Sequence, residues 1–132
     1  MVTREDLESF LIRLDGEYNE LEEGMYLVRT ESDDLPIVLH HSPPLLLLRM
    51  KVMDLPDEKA NKELYRSLLE LNATDVVHGA YGLEDGELIL SDTLELSTLD
   101  FEEVQASVES IQLAASGHMV RIRDMAGVES GS

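Results

Sequence analysis

The pair Asp85-Gly86 divides two β-prone runs, Val76 to Leu83 and Glu87 to Leu96. Asp-Gly is the dipeptide expected where a two-residue hairpin turn needs positive φ. It predicts that the two runs pair antiparallel. In the second run Leu88, Leu90, Leu94 and Leu96 share one parity, which should face the core, and Asp92 breaks the series. Gly79 and Gly82 weaken the first run and mark a bulge or a close contact. An amphipathic segment precedes this hairpin and another follows it, so any fold must place helices on both sides of it in sequence.

The preceding segment is expected to be a helix from about Pro56, a favoured first-turn residue, with Asp57 and Glu58 at the positive end of its dipole. Leu64, Leu68 and Leu71 form its stripe, Tyr65 and Leu69 lie beside it, and Asn72 suits a left-handed C-terminal position. After the hairpin, Asp100 with Glu103 signals a helix start, and Val104, Val108, Ile111 and Ala115 continue the stripe, with the pattern reaching past Gly117 to Met119 and Ile122. Upstream, Thr3 and Asp6 cap a helix from about Arg4 to Leu14 whose stripe is Leu7, Phe10, Leu11 and Leu14.

Between the first two helices lie β segments. Tyr18 to Leu21 reads as a short edge strand, Met25 to Thr30 as a better one. Glu31 to Asp34 is a turn, Pro36 to His41 a strand, Ser42-Pro43-Pro44 another turn, and Leu45 to Met53 a longer strand. The four leucines of LLLLRMKVM suit a central strand covered on both faces. The prediction is therefore α+β: α-β(β)ββ-α-ββ-α, a largely antiparallel sheet with helices packed on it. One domain should span residues 1–126, with a disordered tail over 127–132.

The bulk chemistry excludes several roles. The chain of 132 residues carries 28 acidic against 10 basic side chains, a formal net charge of -18. Such a charge repels nucleic acid and anionic membranes, and no basic patch offsets it. Without cysteine there is no disulfide, thiolate zinc site or thiol nucleophile. The longest apolar run, Leu45 to Leu48, is far too short to span a bilayer, and MVTREDLESF has no signal core, so the cytoplasm is the expected location.

The helix ending LLELN, then HGAYGLEDGELILSDTLELSTLD and a long final helix, resembles the YbjN-like bacterial domains and the small acidic chaperones of type III secretion, the CesT/Tir type. The resemblance runs from about Thr3 to Met125 and rests on Leu68 to Asn72, Asp85-Gly86 and Leu94-Glu95-Leu96 before Leu99-Asp100. It implies a cytoplasmic, non-enzymatic protein, often dimeric. Chaperones of this type bind an extended client segment in apolar grooves.

No residue pattern argues for catalysis. His40 and His41 point to opposite faces of a strand and cannot readily share a metal, and His78 and His118 are isolated. The acids Glu20, Glu22, Glu23, Glu31, Asp33 and Asp34 lack a calcium-loop arrangement and read as a solvated face. Ser42 lacks a nucleophile elbow. No cofactor is expected. The apolar surplus is more informative. If helices cover one sheet face only, Leu45, Leu47, Met50 and Val52 are candidates for a partner interface or self-interface. A helix on the second face would cover them instead, and a one-residue shift of register exchanges the faces. The small residues Ala106, Ala114, Ala115 and Gly117 make the third helix a second candidate surface. The expected function is a protein-binding module, a homodimer that holds an extended segment of a client or signalling partner. The alternatives are a regulator of the same fold outside secretion, and a small acidic metal-dependent binder or enzyme.

Overall fold

The structure is a computed structural model that describes residues 1–30 and 35–127. The turn expected over Glu31 to Asp34 lies outside the described residues, as does the tail expected over 127–132 apart from Gly127. The elements follow the predicted order: α1 (Arg4–Arg13), β1 (Glu17–Glu22), β2 (Met25–Arg29), β3 (Ile37–Ser42), β4 (Leu45–Asp54), α2 (Lys62–Thr74), β5 (Ala80–Glu84), β6 (Glu87–Glu95) and α3 (Phe101–Met125). The six strands form one sheet in the order β1-β2-β3-β4-β6-β5, and every pairing is antiparallel.

Local chemistry sets the boundaries. Thr3 and Asp6 close a capping box on α1. Asp85 and Gly86 both adopt positive φ, 51° and 76°, as the tight β5-β6 turn requires. Asp100 accepts from the Glu103 amide and starts α3, which passes through Gly117 because nothing crowds or kinks it there.

Two expectations about α2 are corrected. The helix begins at Lys62, not near Pro56, because the Asn61 side chain accepts from the Leu64 amide and acts as the cap. Residues Pro56 to Ala60 close a separate turn, with the Ala60 amide donating to the Pro56 carbonyl. The helix also runs past Asn72 to Thr74. The strand expected from Val76 begins only at Ala80. Before it, Gly79 (φ 97°) brings its backbone against the Ser91 carbonyl so closely that a Cβ would sit 2.5 Å from that oxygen.

One hydrophobic cluster fills the space between a single sheet face and the helices. Tyr26, Ile37, Leu39, Leu46, Leu48 and Leu90 supply the sheet side; Leu7, Leu64, Val104 and Ile111 supply the helix side. The predicted parity of β6 holds: Leu88, Leu90 and Leu96 are buried and Leu94 is partly buried. Asp92 shares that inward parity, and there it accepts a short hydrogen bond from the buried Ser107 hydroxyl on α3. The polar break in the leucine series is thus a partly buried polar pair.

Candidate functional site

Strand register decides what the opposite sheet face displays. Along β4 the even-numbered residues Leu46, Leu48, Met50 and Val52 point into the core, while Leu45, Leu47, Arg49 and Lys51 point away from it. Of the four interface candidates, Leu45 and Leu47 therefore share the outer face, where they are half-buried. Met50 and Val52 do not join them, since they are only 1 % and 5 % exposed in the core. The expectation of a shared surface is corrected for these two. Side chains alternate strictly between faces, and the charged Arg49 and Lys51 fix the outward parity.

Neighbouring strands extend the outer face. Met25, His40, Leu47 and Thr93 form one cross-strand row; Leu27, Val38, Arg49, Ser91 and Ala80 form the next. Ile89 stands opposite Lys51 in a third. Met25, Leu27, Val38, Leu45 and Leu47 are apolar and half-buried, and none joins the buried core cluster or the side chains packed on it, whereas Ile89 in the third row is buried. Those five half-buried side chains make an apolar band, interrupted by His40 and Arg49, on a face without a helix. Two cations of the central strand on this face are paired: Arg49 with Glu84 at 2.7 Å, and Lys51 with Glu87 at 2.8 Å and Asp54 at 2.9 Å. Those carboxylates hold the Lys51 ammonium above its ordinary pKa.

A second apolar patch lies where α2 meets β5. Leu68 and Leu71 turn inward, and Leu69 (68 % exposed), Tyr65 and Leu83 remain outside. Lys62, Arg66 and Glu70 run beside them along α2.

The α2–β5 seam is held by polar contacts invisible in the sequence pattern. Asn72, read as a helix terminator, clamps the backbone of Tyr81: the Tyr81 amide donates to Asn72 Oδ1 at 2.6 Å, and Asn72 Nδ2 donates to the Tyr81 carbonyl at 3.2 Å. The side-chain amide thereby occupies the outer edge of β5 as a neighbouring strand would. The Tyr81 hydroxyl, buried, lies 2.8 Å from His118 Nδ1, and His118 Nε2 lies 3.2 Å from Asp75 Oδ2. Burial pushes the Tyr81 phenol up, and the hydrogen bond from His118 holds Asp75 below the usual carboxylate range. His118 is thus a buried structural hub joining α2, β5 and α3. His41 Nε2 lies 2.8 Å from the Val2 carbonyl and ties the N-terminal residues to β3. Among the described residues no cluster of three or more histidines and carboxylates is arranged to hold a metal, and no helix is long and apolar enough to cross a membrane.

The same architecture occurs in solved structures. The heterodimeric complex ExoU-SpcU from the type III secretion system of Pseudomonas aeruginosa aligns with TM-score 0.67 and 11 % identity, over 90 % of this chain and 96 % of that one. YbjN from E. coli aligns with TM-score 0.68 and 15 % identity, over 90 % and 92 %. The Yersinia pestis type III secretion chaperone SycH, in complex with a stable fragment of YscM2, aligns with TM-score 0.63 and 20 % identity, over 87 % and 98 %. At these identities the likeness is one of fold. No curated protein matches the chain by sequence. The family described as CesT_Tir_1 matches residues 2–127.

Proposed function

The chain belongs to the CesT_Tir_1 family, and we propose that it is a non-enzymatic cytoplasmic module that binds an extended segment of a partner protein. The observation that carries this reading is the uncovered apolar band around Leu45, Leu47, Met25, Leu27 and Val38. An apolar surface of this kind is retained where a partner covers it. Two structures of the same fold hold other proteins, ExoU with SpcU and SycH with a YscM2 fragment, which supports a binding role. The mechanism is burial of partner side chains against the band, with the acidic exterior disfavouring wrong partners.

Self-association is assigned to the other patch. Tyr65, Leu69 and Leu83 are exposed apolar side chains, and Lys62 and Arg66 precede Glu70 along α2. Two such helices packed antiparallel across a two-fold axis bring Tyr65 and Leu69 of the two copies together, as an isologous interface requires, while Arg66 and Glu70 stay paired within each helix at 3.0 Å. Affinity capture followed by mass spectrometry tests the binding role, and light scattering tests the dimer. Leu47→Asp is expected to abolish partner capture while the protein stays dimeric, and Leu69→Glu to give a monomer. A captured partner unaffected by Leu47→Asp would refute the assignment of the sheet face.

A further inference from the structure

His118 on α3 is only 6 % exposed and is bonded at both ring nitrogens. Its Nε2 lies 3.2 Å from Asp75 Oδ2 at the C-terminal cap of α2, and its Nδ1 lies 2.8 Å from the Tyr81 hydroxyl on β5. Those two partners fix where the hydrogens are. An ionised carboxylate only accepts, so Nε2 carries hydrogen. In the neutral ring Nδ1 then holds a lone pair, and the Tyr81 hydroxyl donates to it. The His118 hydrogen bond holds Asp75 low and burial pushes the Tyr81 phenol up, so neither end changes its own proton near neutral pH. The ring between them is the member that can.

A second acceptor makes the arrangement two-sided. The Tyr81 hydroxyl also lies 3.4 Å from the Ala114 carbonyl on α3. When a proton from solvent adds to Nδ1, both ring nitrogens become donors. The Tyr81 oxygen must then accept from Nδ1, and its own hydrogen rotates to the Ala114 carbonyl. No other proton moves. The bond from Nε2 to Asp75 becomes one between opposite charges. Asp75 attracts a charge on the ring, whereas Arg121, three residues along α3 and close enough to act on both Asp75 and Tyr81, repels it. The ring opens onto a surface groove that it shares with Asp75, His78 and Glu109, which gives solvent protons a path.

Tyr81 carries the change outward. Its backbone is held by Asn72, and its ring lines a small cavity with Tyr65, Leu68, Leu69 and Leu83. The exposed patch of α2 and β5 is therefore built on the side chain whose hydroxyl answers to His118. We propose that Asp75, His118 and Tyr81 form a two-position proton switch, in which acid reverses the Tyr81 hydroxyl bond and shifts the packing beneath Tyr65, Leu69 and Leu83. The switch does not depend on what the protein binds.

Nuclear magnetic resonance of the full chain tests it, with a titration from about pH 8 to about pH 5, where histidines change charge. At the upper end the His118 nitrogen shifts should show hydrogen on Nε2 and none on Nδ1. Acid should protonate Nδ1, and the methyl signals of Leu69 and Leu83 should move with the same midpoint. Asp75→Asn removes the attracting charge and should lower that midpoint by about one pH unit. Arg121→Gln removes the repelling charge and should raise it by less. Both side chains are exposed, so both variants should fold. His118→Gln should abolish the pH dependence of the Leu69 and Leu83 signals, which separates the switch from the nearby His78. If that variant does not fold, the two surface variants still decide. Hydrogen on Nδ1 at the upper end, or a ring that stays uncharged until the chain unfolds, would overturn the switch. So would methyl signals that ignore the ring's titration, or one midpoint shared by the wild type and both surface variants.

Discussion

Replacing Asn72 with alanine should loosen the molecule at the α2–β5 seam, and the size of the effect follows from its two contacts. The side chain is half-buried, accepts from the Tyr81 amide at 2.6 Å and donates to the Tyr81 carbonyl at 3.2 Å. Each such bond contributes about 1 kcal/mol net. Alanine returns about 0.6 kcal/mol through its better helix propensity. The net loss is about 1.5 kcal/mol. For a chain of 132 residues unfolding entropy is about 0.28 kcal/mol/K, so the melting temperature should fall by about 5 °C. Urea unfolding measures the loss directly, and hydrogen exchange at the Tyr81 amide locates it. Asn72→Asp is the informative companion. It keeps the acceptor for the Tyr81 amide but sets a second oxygen against the Tyr81 carbonyl, and it should not restore stability. Because the clamp closes a strand edge, Asn72→Ala should also form species larger than the dimer at high concentration. An unchanged Tyr81 exchange rate together with a loss below about 0.5 kcal/mol would refute the clamp as an energetic feature.

Two further outcomes follow from geometry. Gly79→Ala should destabilise by about 1–3 kcal/mol, because the new Cβ meets the Ser91 carbonyl oxygen at 2.5 Å and φ is 97°; an undiminished urea midpoint would show that the backbone relaxes there. At alkaline pH, burial followed by the hydrogen bond to Glu8 pushes Tyr26 up to about 12, and burial raises Tyr81. A raised folded pKa means stability that is complete below the unfolded value, about 10, and is lost as pH rises through the folded one. Stability should therefore decline above about pH 10, with Tyr26 and Tyr81 ionising only as the chain unfolds. Absorbance titration tests this, and full ionisation of all four tyrosines in the native state near pH 10 would contradict it.

What the sequence made legible follows from which interactions are local. The Asp85-Gly86 turn, the leucine parity of β6 and the caps at Thr3 and Asp100 each lie within a few residues, and each appears as read. The start of α2 was misplaced because Pro56 is a good first-turn residue in isolation, whereas Asn61 forms the actual cap. The register of β4 was hidden by consecutive leucines, although Arg49 and Lys51, two residues apart, carried the parity that separates Leu45 and Leu47 from Met50 and Val52. His118 could not be read as a hub, because its partners Tyr81 and Asp75 lie 37 and 43 residues away.

The two sheet edges extend the same reasoning to function. The segment EYNELE reads locally as a short edge strand, whereas nothing local in Asn72 reveals a strand clamp. Only the strand order, with β1 at one end and β5 at the other, gives those residues opposite meanings. Asn72 is drawn from α2 to close the β5 edge, so that end of the sheet is completed by the chain itself. At the other end three glutamates stand along a strand that pairs on one side only among the described residues. There the outward glutamates, the inward-facing Glu20 and the bulge before Glu22 protect the edge by charge and geometry rather than by a covering side chain. Both ends of the sheet are guarded, and the apolar band remains the surface that asks for a partner to cover it.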